Sequence, residues 1–324
     1  MRLIALEEAF SIPRLTARHP GLTDLGPIPV SREFGRHVAQ GLPDFTELRL
    51  PEMDRYGVDM QVLSHTAPGI QADLTAEEAV DAARFANDYL AKVVTAHPTR
   101  FAGFAALPMQ DPKAATAELR RAVGELGFRG ALVNDHTGGR YLDDPVYEPF
   151  WTTLEDLDVP LYLHPGAPAA ERWKVTDGAA ELIGPTFTWG AETGGHALRL
   201  LYSGVFDRHP RAHLILGHMG EYLPFMLSRL DSRYATLDPG RTLDRAPSAY
   251  AGTNILITIS GVQSPAALAG AVLAIGADAI MFAIDYPYEY TEAATTAFAT
   301  APLSDADRHK IAHGNAERLL KLQP

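Results

Sequence analysis

Apolar residues along this chain gather into eight short runs, at residues 3–6, 60–63, 101–107, 130–133, 160–163, 213–216, 255–259 and 279–284. Runs that are apolar at successive rather than alternate positions are the pattern of strands covered on both faces, as in a parallel sheet. Helical stretches lie between them, at residues 75–96, 113–126, 192–206, 221–235 and 305–320. The first of these carries Glu77, Glu78 and Asp81 in its opening turns, where the helix dipole favours acids. Eight strands alternating with helices predict an α/β chain closed into a (β/α)8 TIM barrel. With no long linker, repeat or low-complexity tract, a single domain over residues 1–324 is expected. Residues 11–45 break the alternation. They carry several Pro and Gly and little periodicity, and are expected to form a long loop inserted after strand 1, where a barrel places substrate-covering segments. The longest apolar stretch, residues 266–284, is broken by Gly270, Gly276 and Asp278, and reads as helix, turn and buried strand rather than a membrane span.

Composition narrows the partners. The chain is 46% hydrophobic and 21% charged, ordinary for a globular protein, and 324 residues suffice for one barrel with insertions. A formal net charge of −12 leaves no basic surplus for phosphates, so neither nucleic acid nor an anionic membrane is an expected partner. There is no cysteine, so disulfides and thiolate metal sites are excluded, and any metal must be held by His, Asp or Glu. Two carboxylates, Glu7 and Glu8, stand where a signal peptide would carry its apolar run, so a cytoplasmic protein is expected.

In a barrel of this kind the active site gathers just past the C-terminal ends of the strands. Here those positions are polar: Glu7-Glu8, Ser64-His65, Asn134-Asp135-His136, His164, His218, Ser260 and Asp285. Any one of them has a plainer explanation as a helix cap or a loop hydrogen-bonder. Their recurrence at equivalent places points to a site. Glu7, His164 and Asp285, from strands 1, 5 and 8, offer oxygen and imidazole donors suited to one divalent metal ion, Zn²⁺ first, with Mg²⁺ or Mn²⁺ as alternatives. His218 lies in Gly217-His218-Met219-Gly220-Glu221. Glu221 there either fixes the imidazole in one tautomer or serves only as an acid at the start of the next helix. His65, at a strand end, is a candidate for contacting substrate. His136 and His196 are assigned structural roles, and His209 a surface position in a helix-ending turn.

Several longer stretches carry a family likeness. They are Ala5-Leu6-Glu7-Glu8-Ala9-Phe10, Leu63-Ser64-His65-Thr66-Ala67-Pro68-Gly69, Gly127-Phe128-Arg129-Gly130-Ala131-Leu132-Val133-Asn134, His164-Pro165, Gly204-Val205-Phe206-Asp207-Arg208-His209-Pro210, Gly217-His218-Met219-Gly220-Glu221 and Ile284-Asp285-Tyr286-Pro287. In family order from end to end, they resemble the decarboxylase branch of the amidohydrolase superfamily, 2,3-dihydroxybenzoate decarboxylases first and γ-resorcylate decarboxylases next. The resemblance implies metal ligation by Glu7, His164 and Asp285, with His218 and Glu221 as the catalytic pair and Asp285 as the acid. It puts Arg229 near the substrate or a neighbouring subunit, where the plainer alternative is a helix-surface ion pair, and it implies a homodimer or homotetramer. One position departs from the superfamily pattern: Ala9 stands where most members carry a ligating His, as in the 2,3-dihydroxybenzoate branch.

The expected activity is therefore the non-oxidative decarboxylation of a small ortho-hydroxybenzoic acid, 2,3-dihydroxybenzoate-like, by protonation of the ring carbon that bears the carboxyl group. Two rivals remain at this level: a metal-dependent hydrolase of an amide, ester or lactone, and a metal-free binding scaffold.

Overall fold

The computed structural model describes residues 1–24, 28–166, 173–238 and 242–323. All eight expected strands are present and parallel. They are β1 (Ile4–Phe10), β2 (Met60–His65), β3 in two segments (Phe101–Gly103 and Ala105–Ala106), β4 (Ala131–Asn134), β5 (Leu161–His164), β6 (Leu214–Leu216), β7 (Ile255–Thr258) and β8 (Ile280–Met281). Strand order follows chain order. The two segments of β3 are joined at Phe104, whose N–H donates to the Leu63 carbonyl at 2.9 Å. The ring closes where Leu6 forms a parallel bridge with Ala283 and donates to the Phe282 carbonyl at 3.1 Å.

The continuous apolar runs are explained by two separate cores. Ile4, Leu6, Val62, Phe104, Leu132, Tyr162, Ile215 and Met281 fill the barrel interior. Their strand neighbours, such as Ala5, Leu161, Leu163, Leu214 and Leu216, point outward against the helices. Period-2 alternation is therefore intact, with both faces buried. The helix Ala76–Ala96 starts in a reciprocal capping box between Thr75 and Glu78, which satisfies donors at its first turn.

Two expectations about elements are corrected. Residues 11–45 are an insertion after β1, but the described part is not a plain loop: it contains the helices Pro13–Arg18 and Arg32–Gly41 and a 3-10 turn, Pro20–Thr23. Both helices are too short to register as periodicity. They are started by local chemistry instead, Pro13 at the first turn of one and the Ser31 side chain accepting from Phe34 N at 3.2 Å in the other. Residues 25–27 of that expectation lie outside the described residues. The helix expected over 221–235 begins only at Leu227 and ends at Tyr234, because Glu221 and Tyr222 adopt left-handed backbone angles. Among the described residues, no helix is long and apolar enough to cross a membrane.

Candidate metal centre and active site

A β-bulge sets the geometry of the first candidate ligand. Ala5 pairs with Gln61 but Glu8 with Leu63, so β1 holds one extra residue, and Glu7 at φ 70° is re-aimed toward the barrel mouth. Its Oε2 accepts hydrogen bonds from Tyr162 Oη and Ser260 Oγ, and from Thr258 Oγ1 at 3.3 Å. Among the described residues its Oε1 is buried and makes no hydrogen bond, although His164 Nε2 lies 3.4 Å and His218 Nε2 3.2 Å away. Gly217 is required beside it, since a Cβ there would stand 2.6 Å from Glu7 Oε2.

The two imidazoles are oriented from behind. His164 Nδ1 donates to the Pro165 carbonyl at 2.9 Å, which leaves the Nε2 lone pair directed at Glu7. Burial lowers its pKa, so it stands neutral. His218 Nδ1 lies 2.6 Å from Glu221 Oε1, while its Nε2 faces Glu7 and, at 3.7 Å, Asp285 Oδ2. Burial works against a charge on His218, but the carboxylates of Glu7, Glu221 and Asp285 outweigh it and raise its pKa well above 6.5. Burial also raises the pKa of Glu221.

Asp285 is held at φ 79° between two backbone amides that both donate to Glu8, Ile284 N to Oε1 at 2.9 Å and Tyr286 N to Oε2 at 3.2 Å. Burial, reinforced by the charge of Glu7 and opposed by His218, pushes its carboxyl up to about 7. Donor atoms of Glu7, His218 and Asp285 all fall within 4.8 Å of one another, and His164 joins them through Glu7. An unpartnered buried carboxylate oxygen, two imidazoles with their far nitrogens engaged, and a second carboxylate form a donor set that fits a divalent cation. His218 thus stands among the candidate ligands as well as beside Glu221, a double placement that strand-end position alone does not predict.

Backbone strain concentrates here. Residues 218–222 all have positive φ, from 47° to 77°, so the turn after β6 is left-handed throughout. Each such non-glycine residue costs about 1–2 kcal/mol, and strain of this kind persists where surrounding structure over-determines it, often at functional sites.

Other candidates have distinct surroundings. His65 is buried, its Nδ1 donating to the Thr66 carbonyl at 3.1 Å, and burial pushes its pKa down to about 4. His196 is structural: Nδ1 meets Asp135 at 2.6 Å and Nε2 accepts from Leu142 N at 2.9 Å. His136 Nδ1 accepts from Gly139 N at 3.1 Å. His209 does end a short helix, but it is buried between Glu148 and Glu155 rather than on the surface. Arg229 is exposed on the helix Leu227–Tyr234, outside the cavity of its own subunit, and among the described residues it makes no ion pair. Tyr162, Thr258 and Arg49 were not legible as site residues. Tyr162 and Thr258 occupy interior strand positions two residues before His164 and Ser260, and that shared face was the available signal. Arg49, fully buried, donates to the Ala9 carbonyl at 2.6 Å and lies over the Tyr286 ring at 4.3 Å, bracing β1 against the segment after β8.

Above the cluster opens a cavity of about 900 Å³ with His164, His218, Glu221 and Asp285 among its lining residues. Phe34, Val38 and Leu42 of the insertion, with Trp189, Tyr222 and Val262, give it apolar walls. The insertion therefore does border the site.

A (β/α)8 barrel whose strand ends gather carboxylates and imidazoles around a bridging acid defines a class of metal-dependent barrel enzymes. The model of the amidohydrolase family matches residues 23–322, and the chain belongs to that family, in its decarboxylase branch. It is 43% identical over 327 residues to γ-resorcylate decarboxylase of Rhizobium sp. strain MTP-10005, covering 98% of each chain. Among solved structures, 2,6-dihydroxybenzoate decarboxylase in complex with 2,6-dihydroxybenzoate is similar at a TM-score of 0.92 and 43% identity, covering 99% of this chain and all of the other. The dihydroxybenzoic acid decarboxylase of Polaromonas sp. JS666, with bound manganese and the inhibitor 2-nitroresorcinol, matches at 0.91 and 42%, covering 99% and 97%.

Proposed function

We propose that this chain is a metal-dependent, non-oxidative decarboxylase of ortho-hydroxybenzoic acids, with Glu7, His164 and Asp285 holding the metal and His218 and Glu221 moving the proton. The observation that carries it is Glu7 Oε1, buried without a hydrogen bond among the described residues and faced by two pre-oriented imidazoles near an apolar cavity. Full-length likeness to hydroxybenzoate decarboxylases supports a lyase over the hydrolytic rival. The opposed pKa directions divide the imidazoles: neutral His164 is the ready ligand, and His218, which favours a proton, is the carrier. Two carboxylates and one imidazole form an oxygen-rich set, and with the manganese of the Polaromonas relative they move the preference from Zn²⁺ to Mn²⁺.

A metal held by Glu7, His164 and Asp285 would supply charge stabilisation to the anionic substrate. The protein does the rest. His218, held by Glu221, takes the phenol proton on Nε2, and the resulting phenolate enriches the ring carbon bearing the carboxyl group. That proton passes from His218 Nε2 by way of Asp285 Oδ2, 3.7 Å away, to that carbon, forming a C–H bond. The C–C bond then breaks, its electron pair returns to the ring, and CO₂ leaves. The apolar walls exclude bulk water from this exchange.

The sequence likeness points to a 2,3-dihydroxybenzoate-like substrate, whereas the relatives act on γ-resorcylate; an ortho hydroxyl is common to both. An assay of CO₂ release from 2,3- and 2,6-dihydroxybenzoate, salicylate and 4-hydroxybenzoate tests the reading. Turnover confined to the ortho-hydroxylated acids supports it, and none on any of them refutes it. Arg229 then meets substrate only across an interface. Exposed Tyr222, Phe225 and Met226 beside it support assembly as a homodimer or homotetramer.

A further inference from the structure

The position of Ala9 has a structural counterpart. Its side chain borders a second, much smaller cavity of about 10 Å³, close to the least space that holds one water. His65 and Asn134 form part of the wall, and Glu7, His164 and Asp285 another part. Among the described residues, His65 Nε2 and Asn134 Oδ1 are both buried without a hydrogen-bond partner, on residues only 4% exposed.

Both atoms are acceptors. His65 Nδ1 stands 3.1 Å from the Thr66 carbonyl, which can only accept, so the ring hydrogen is on Nδ1 and the lone pair on Nε2. The Asn134 amide nitrogen donates to the Pro68 carbonyl at 3.2 Å and to Gln71 Oε1 at 3.4 Å, which fixes the amide with its oxygen as the free atom. Leaving a buried acceptor unpaired costs about 1–3 kcal/mol, so the cavity calls for a donor to each. A ring hydroxyl of a substrate carries one hydrogen and satisfies only one of them. A water molecule carries two, has the size of the cavity, and keeps a lone pair for the remaining side.

We propose that a fixed water molecule occupies the cavity at Ala9, donating to His65 Nε2 and Asn134 Oδ1 and turning its lone pair toward the divalent ion of the Glu7, His164 and Asp285 site. It supplies the ligand that Ala9 cannot. The inference rests on the metal reading above, and it assigns His65 and Asn134 as positioning residues acting through that water.

The test uses Mn²⁺ and the intact protein. Dissociation constants come from competition with a chromogenic chelator, and the number of water ligands on protein-bound Mn²⁺ from water-proton relaxation. His65→Leu and Asn134→Leu each raise the Mn²⁺ Kd about 10–100-fold, the usual effect of losing an outer-shell partner, and reduce the water count by one. Ala9→His replaces the water with an imidazole, recovers tight binding and makes a further His65→Leu change nearly silent. Unchanged Kd and water count in both leucine variants overturn the proposal while the metal reading stands. A parent protein that binds no Mn²⁺ overturns both. A crystal structure of the parent with Mn²⁺ needs no variant to fold. An oxygen within hydrogen-bond distance of both acceptors is expected there, and an empty cavity refutes the assignment.

Discussion

Glu221→Gln is the most informative single change at the site, because it removes one charge and leaves volume and hydrogen-bonding capacity in place. In the protein, Glu221 Oε1 lies 2.6 Å from His218 Nδ1, both groups are largely buried, and Glu221 is among the carboxylates that raise the His218 pKa. On the proposed metal reading a divalent ion would offset the negative charge of Glu7 and Asp285, leaving Glu221 as the main source of that shift. A charge-assisted hydrogen bond of this kind contributes about 1.5–3 kcal/mol, which at about 1.4 kcal/mol per unit is roughly 1–2 pKa units. The sign follows: loss of the carboxylate disfavours imidazolium, so the His218 pKa falls. In the proposed mechanism His218 must be neutral to take the phenol proton, so the acidic limb of the kcat profile is expected to move down by about 1–2 pH units. The plateau falls about tenfold as the base weakens. The assay is CO₂ release between pH 5 and 9, with metal content and circular dichroism as controls. An unmoved limb with activity within twofold of the parent refutes the coupling of Glu221 to His218.

Other perturbations reach the remaining parts of the account. Glu7→Gln removes the charge shared by both imidazoles, and the purified protein is expected to retain less than about a tenth of the parent's metal by elemental analysis; full occupancy rules Glu7 out as a ligand. His65 is neutral in the fold with its pKa pushed down to about 4, against about 6.5 when unfolded. Its contribution to stability is therefore complete above pH 6.5 and is lost as pH falls toward 4, by about 3 kcal/mol. His65→Leu escapes that loss, and denaturant midpoints at pH 7 and pH 4.5 that drop equally in parent and variant contradict the argument. Phe225→Glu puts a charge into the exposed apolar surface beside Arg229 and is expected to convert an oligomer to monomer by light scattering; an unchanged mass excludes that surface as the interface.

What the sequence discloses here has a physical limit. Eight buried strands are legible because a barrel covers both faces of its sheet, which forces continuous apolar runs such as Leu161-Tyr162-Leu163. Glu7, His164, His218 and Asp285 are legible because a barrel gathers its active site at the C-terminal ends of the strands. The bulge that aims Glu7 and the left-handed turn over residues 218–222 leave no mark in hydrophobic pattern, since they arise from contacts between distant strands. The same limit hides Arg49, whose place is set by the Ala9 carbonyl and the Tyr286 ring folding against it. The helices of the insertion escape because each is short, one of six residues and one of ten, and the apolar stripe of the longer one rests on Phe34 and Val38 alone before Leu42. Arg229, on an exposed helix face, needs a second chain before its position has meaning.

The central claim is that the carboxylates and imidazoles at the barrel mouth hold a metal that decarboxylation requires. Elemental analysis of the protein as isolated, paired with CO₂ release from ortho-hydroxybenzoates before and after chelation, tests it most directly. About one divalent ion per chain is predicted, with activity lost on chelation and restored by Mn²⁺. A chain that stays metal-free, or one that releases CO₂ undiminished after its metal is stripped, contradicts the account.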